Sequence, residues 1–263
     1  MRASRFEVIS FPLSFIKRPS KRSGRPPTMT PPEETTNISY DSLRQVTILS
    51  SLSSDELAEF SDGCSWSRHN SHYEVVVQDT PCDRVYFIAQ GRVSAKTYSP
   101  KGREVTYAEL GVGEFFGELS ALDNKPHVSF VITLQESLIA SIDADAFNAF
   151  LATHPAVMRT LLTELAGRVR LLDKKILEFS TLTASNRIHA ELLRLAKGHR
   201  QIDGGAEISP TLTHADLASR TNTTRESVTR ELARLKKNNI IRTGPDRLSI
   251  LDITALTKLI EDE

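Results

Sequence analysis

The chain has no run of about eighteen consecutive apolar residues, so no membrane-spanning helix is expected. It has only two cysteines, Cys64 and Cys82. Two thiols cannot supply the four ligands an iron–sulfur cluster normally takes, so no cluster is expected. They could pair as a disulfide, but nothing in the sequence demands one, and free thiols in a reducing cytoplasm are the simpler reading. There is no nucleophile elbow, paired-carboxylate or HExxH pattern, so nothing points to an enzyme. There is no internal repeat. The net charge is zero, which removes any global electrostatic argument for nucleic acid. The amino-terminal RFEVISFPLSFIKRPSKR puts its apolar run before its basic residues, the reverse of a secretory signal.

What is present is uneven. Residues 1–29 carry seven Lys/Arg against one acid, residues 30–150 eight against eighteen, and residues 151–263 eighteen against fourteen. An acidic middle repels a duplex, whereas the carboxy-terminal part can approach one. With 263 residues and a 39% hydrophobic share, two domains with real cores are expected. Residues 1–38, rich in Pro, Ser, Thr and basic groups, read as a disordered leader, with Met29 an alternative start.

The carboxy-terminal stretch THADLASRTNTTRESVTRELARLKKNNIIRTGPDRLSIL is the most informative. A short amphipathic helix (Ala215, Leu217, Ala218) breaks at Thr221-Asn222-Thr223, where Asn tolerates a left-handed backbone. Thr224 suits the N-cap of a second helix that buries Val228, Leu232 and Leu235. The outer face of this helix carries Arg225, Glu226, Thr229 and Arg230. Arg pairs with guanine and Glu accepts from cytosine in a major groove, so these four are the expected base readers. Thr223, Thr224 and Ser227 lie at the helix start, where hydroxyls and backbone N–H groups favour phosphate. A hairpin over Ile240–Arg242 and Leu248–Ile250, turning at Gly244-Pro245-Asp246, completes a winged helix-turn-helix. The same residues admit a second reading, a ligand-sensing or interaction module whose last domain contacts protein. Steep salt dependence and sequence preference would separate the two.

Upstream, Ser53-Ser54-Asp55-Glu56 reads as a capping box. Short strands are expected at Tyr73–Val77, Val85–Ala89, Arg92–Tyr98, Glu104–Leu110, Ser129–Leu134 and Leu138–Ile142, which predicts a β-sandwich or roll. From about Asp145 the period turns helical. Met158, Leu162, Leu165, Val169, Leu172, Ile176 and Phe179 follow a 4-3-4-3-4-3 spacing, the seam of a two-fold coiled coil, so a homodimer is expected.

These landmarks together resemble the CRP/FNR family of bacterial transcription regulators over residues 40–260. They are RVYFIAQGRV, GVGEFFGELSALDNKP, the heptad helix, NRIHAELLRLA and TTRESVTRELARL, in that order. The resemblance implies an α+β chain: an N-terminal cyclic-nucleotide-binding-like β-roll (jelly roll) over 39–152, a dimerisation helix over 153–182 and a winged helix-turn-helix over 183–263. It implies double-stranded DNA as partner, with Arg225, Glu226 and Arg230 at base-reading positions. It further implies a palindromic site, a G-T-G-A-like half-site and contact with RNA polymerase.

The family's effector pocket implies further residues. Gly117, Glu118, Leu119 and Ser120 match its phosphate- and ribose-binding turn. Where nucleotide-binding members carry Pro-Arg-Ser, this chain has Pro126, His127 and Val128. His lacks the guanidinium fork and most of its charge at neutral pH. The adenine-contacting Thr-Ser pair of the long helix falls on Leu172 and Asp173. Both departures argue against tight cyclic-AMP binding. No cofactor is assigned, and the pocket is expected to be empty, vestigial or built for another ligand.

Two other groupings carry little. Cys64, His69 and His72 fit no zinc spacing and read as surface residues near a strand start. Gly111, Gly113 and Gly117 have the wrong spacing for a dinucleotide fingerprint.

Overall fold

The computed structural model describes residues 33–34, 40–99, 104–202 and 205–261. The expected leader and Met29 lie outside these residues, apart from Glu33–Glu34. This pair departs from the disordered reading. It forms a two-residue strand, β1, whose backbone pairs with the otherwise open edge of β2 (Ser65–His69).

Helix α1 (Ser54–Asp62) opens the roll, and its capping box forms as expected: Ser53 accepts from the Glu56 N–H while Glu56 accepts from the Ser53 N–H. After β2 come β3 (Glu74–Val76), β4 (Arg84–Gln90), β5 (Val93–Tyr98), β6 (Glu104–Leu110) and β7 (Phe115–Phe116). Then follow α2 (Glu118–Asp123), β8 (Phe130–Thr133), β9 (Ser137–Asp143) and α3 (Ala144–Thr153). The strands form two antiparallel sheets, ordered β1-β2-β9-β4-β7 and β3-β8-β5-β6. Alternation along β4 and β9 divides the core. Ile88 and Ile139 face the second sheet, packing with Val93, Leu110 and Val131. Val85, Phe87, Ala140 and Ile142 face the other way, onto Phe60, Phe147, Leu151 and Leu161 of the helices.

The six expected strands form within two residues of their anticipated ends. Strand β2 is not among the expected strands, because SWSRH shows no apolar alternation. It nonetheless pairs along its length with β9. His69 at its end is therefore no surface residue. It is buried, stacks on Tyr73 with ring centroids 4.5 Å apart and bonds Ser67 Oγ at 2.8 Å, and burial pushes its pKa down.

Helix α4 (Pro155–Thr181) is 27 residues long, with Pro155 in its first turn, where a missing N–H is harmless. It carries two stripes one residue, or about 100°, apart. Val157, Leu161, Arg168, Lys175 and Glu178 turn toward the rest of the chain. Met158, Leu162, Val169, Leu172, Ile176 and Phe179 stand exposed, Leu162 at 60% and Ile176 at 64%. Leu165 lies on the border, partly covered by the roll core.

The last domain comprises α5 (Ala184–Lys197), β10 (Arg200–Ile202), β11 (Gly205–Ile208), α6 (His214–Arg220), α7 (Arg225–Lys237), β12 (Ile241–Thr243), β13 (Leu248–Ile250) and α8 (Ile253–Glu261). Its core gathers Ile188, Leu192, Leu217, Val228, Leu232, Leu235 and Ile250. The expected hairpin forms as β12 and β13, and β11 and β10 extend it into a four-stranded sheet, β10-β11-β13-β12. The polar RQI and GAEI lack the alternation that would have revealed the two extra strands.

Beneath α7 a buried ion group ties two helices together. Glu231 meets His189 Nε2 of α5 at 2.6 Å and Arg234 Nη2 at 2.7 Å. Burial raises the Glu231 pKa, but hydrogen bonds from Arg234 and His189 outweigh it and hold the carboxyl below its ordinary 4.5. With the folded value depressed, this contribution to stability is complete above 4.5 and is lost as the pH falls through the folded value. The urea midpoint of the wild type is thus expected to fall more on acidification from about pH 6 to about pH 3.5 than that of Glu231→Gln. Parallel slopes would show that the carboxylate holds no such linkage.

Candidate functional site

The residues expected to read DNA follow the turn between α6 and α7. Thr213 caps α6 with a box to Asp216, and Asn222 adopts the left-handed φ of 50° that the break requires. Thr224 caps α7 by accepting from the Ser227 N–H, as the sequence suggested. Arg225, Glu226, Thr229 and Arg230 are all exposed on one end of this helix. The Arg225 and Glu226 N–H groups lie in its first turn, so an acceptor at this end meets the positive end of the helix dipole. Glu226 is held below its ordinary pKa by its own backbone N–H and by Thr224. The Thr229 hydroxyl donates to the Arg225 carbonyl at 2.9 Å and meets His214 Nδ1 at 2.8 Å. Thr223 departs from the expected phosphate set. It is buried, and its N–H donates to the Ala218 carbonyl at 3.0 Å, because it closes the turn rather than opening the helix. Thr224 and Ser227 remain at the surface.

The second group of expected residues lines a single cavity of about 550 Å³. Gly117, Glu118, Leu119, Ser120, His127 and Val128 all contribute to its wall. Gly117 is the N-cap of α2 with φ 89°. A Cβ there would lie 2.7 Å from the Arg84 carbonyl oxygen, so the turn admits only glycine. Glu118 is buried and pairs with Arg168 at 2.6 Å. Arg168 also donates to the Phe115 carbonyl at 3.1 Å and lies over the Phe115 ring at 4.7 Å. Burial raises the Glu118 carboxyl above its ordinary value, and Arg168 pulls it back only in part. The Ser120 hydroxyl points to the Pro126 carbonyl at 3.4 Å. His127 is buried, with its pKa lowered by burial, whereas Val128 is exposed.

The far wall belongs to α4 (Arg168, Leu171, Leu172, Lys175) and to the last domain (Glu191, Arg194, Arg220). Of the pair matched to the adenine-contacting positions, Leu172 is in this wall and Asp173 is not, and the share of the last domain was not anticipated. Here α6 docks on β6. Ser219 Oγ lies 2.7 Å from Thr106 Oγ1. Lys175 Nζ donates to the Tyr107 carbonyl at 3.1 Å, and Arg220 pairs with Glu109 and, at 3.2 Å, with Glu191. Arg194 joins through Glu191 and through Glu178 at 2.9 Å. Arg168 and Lys175 sit seven residues apart on the inward stripe of α4, a helical spacing that could have marked them. Nothing local marks Glu109 or Arg220, 111 positions apart.

Residues 69–154 match the family model described as the cyclic nucleotide-binding domain, and residues 186–259 that of the Crp-like helix-turn-helix domain. A CRP-like cAMP-activated global transcriptional regulator of Mycobacterium tuberculosis is 30% identical over 187 residues, 71% of this chain and 84% of the relative. The cyclic AMP receptor protein of Thermus thermophilus is 28% identical over 175 residues, 66% and 78% of the two chains. In fold, a CooA mutant from Carboxydothermus hydrogenoformans aligns with a TM-score of 0.70 at 20% identity, covering 82% of this chain and 95% of that one. No helix among the described residues is long and apolar enough to cross a membrane. The two matched domains, in this order and joined by a long helix, place the chain in the CRP/FNR family of transcriptional regulators, which are not enzymes.

Proposed function

We propose that two copies of this regulator pair along the exposed stripe of α4 and offer two α7 helices to successive major grooves of a palindromic DNA site, with half-sites about one helical turn apart. The roll over 39–152 serves as sensor, 153–182 as the dimer helix and 183–263 as the DNA-binding domain. Arg225, Glu226 and Arg230 read base edges, Thr229 presents its methyl to a thymine, and Thr224 and Ser227 meet the backbone. The observation that carries this reading is the exposed Arg225/Glu226/Arg230 face at the capped start of α7, the end of a recognition helix that enters the groove.

Arg230→Ala is expected to weaken binding to the matched operator by about 1–3 kcal/mol while hardly changing binding where its base is already mismatched. Titration by fluorescence anisotropy on both operators is the check. An equal loss on both would reduce Arg230 to a phosphate contact.

The effector pocket is degenerate in this reading. The Arg168 pairing occupies the Glu118 carboxylate that would take a ribose hydroxyl, and His127 and Val128 supply neither a guanidinium nor a hydroxyl for the phosphate. Tight cyclic-AMP binding is not expected.

A further inference from the structure

Resting on the assignment of this cavity as the effector pocket, we propose that its ligand is an uncharged, largely apolar small molecule rather than a cyclic phosphate. The cavity, about 550 Å³, lies within the range of small-molecule sites. Its floor is Val76, Ala95, Phe116 and Val131, and Leu171 and Leu172 of α4 close over it.

The charges around it cancel. Among the described lining residues, four are acidic (Glu109, Glu114, Glu118, Glu191) and four are basic (Arg168, Lys175, Arg194, Arg220). Each guanidinium already faces a carboxylate: Arg168 on Glu118, Arg220 on Glu109 and Glu191, and Arg194 on Glu178 and Glu191. Lys175 is held by the Tyr107 carbonyl. Burial lowers the His127 pKa, so its imidazole adds no charge at neutral pH. An anion entering here would have to be stripped of water and then compete with a carboxylate for each guanidinium, which is unfavourable. An apolar molecule meets no such penalty. It covers the exposed Leu119, Val128 and Leu171 and gains by their removal from water.

The probe is N-phenyl-1-naphthylamine, a neutral dye that fluoresces in apolar surroundings, titrated into the full chain. Saturable binding at one dye per chain is expected, undisturbed by excess cyclic AMP or cyclic GMP. Two substitutions that fill the floor, Ala95→Phe and Val131→Phe, should weaken it at least about tenfold. Leu171→Trp, on the half-exposed lip and outside the roll core, should do the same without threatening the fold. Absence of dye binding, displacement of the dye by either nucleotide, or unchanged affinity in Leu171→Trp would overturn the proposal. Operator binding is measured separately by gel shift and reports on the regulator reading alone. Dye failure with operator binding intact overturns the ligand class and leaves the DNA-binding function standing. The converse removes the function and leaves the pocket chemistry.

Discussion

Arg220→Ala is expected to destabilise the folded chain by about 3–5 kcal/mol, the usual penalty for removing one partner of a buried ion group. Arg220 is the cation that faces both Glu109 of the roll and Glu191 of α5, and all three side chains are largely shielded from water. Its removal takes from each carboxylate one of the two described cations that face it, leaving Glu109 only Arg92, at 3.6 Å, and Glu191 only Arg194. The urea midpoint should drop accordingly. Converting the group to neutral side chains together (Arg220→Met, Glu109→Gln, Glu191→Gln) should recover most of the loss, because the penalty comes from the uncompensated charge more than from a missing attraction. A wild-type-like unfolding curve for Arg220→Ala would mean that α6 does not dock on β6 in solution.

Ile176→Asp is expected to leave the fold intact and to abolish dimer formation. Ile176 lies on the exposed stripe, 64% accessible, so a carboxylate is harmless in the single chain and prohibitive when two stripes meet. Linking two half-site readers raises affinity by about 10²–10⁴ over one alone, and the variant should lose operator binding by a similar factor. Sedimentation equilibrium and anisotropy on the same samples check both halves. A variant that remains dimeric would place the contact elsewhere, and a monomer that binds the full operator as tightly as wild type would remove the need for pairing. Together with Arg220→Ala, this substitution separates the two duties of α4, since one stripe holds the chain's own domains and the other is left for a partner.

Much of this architecture was legible beforehand. The caps at Ser53 and Thr224, the left-handed Asn222 and six strands of the roll follow from rules that act over two to seven residues. The helix-turn-helix was readable for the same reason, since its signal lies within a single stretch of 39 residues. Misreadings arose where the local signal was weak or the outcome non-local. Strand β2 has few apolar residues, yet β9 supplies the partner that makes SWSRH a strand. Thr223 looked like a helix-start hydroxyl, but the turn folded it inward.

From the sequence alone came the two domain types, the polar face of α7 that carries Arg225, Glu226 and Arg230, and the His127 and Val128 that stand where the family resemblance implies Arg and Ser. Each is a matter of side-chain identity at a recognisable spacing. Only the tertiary structure decided that Glu118 is claimed by Arg168, fifty residues away, and that α6 leans on β6 through Arg220 and Glu109. Buried charges choose partners by distance in space, and the folding that sets those distances is driven by apolar packing with no memory of where the charges lie along the chain.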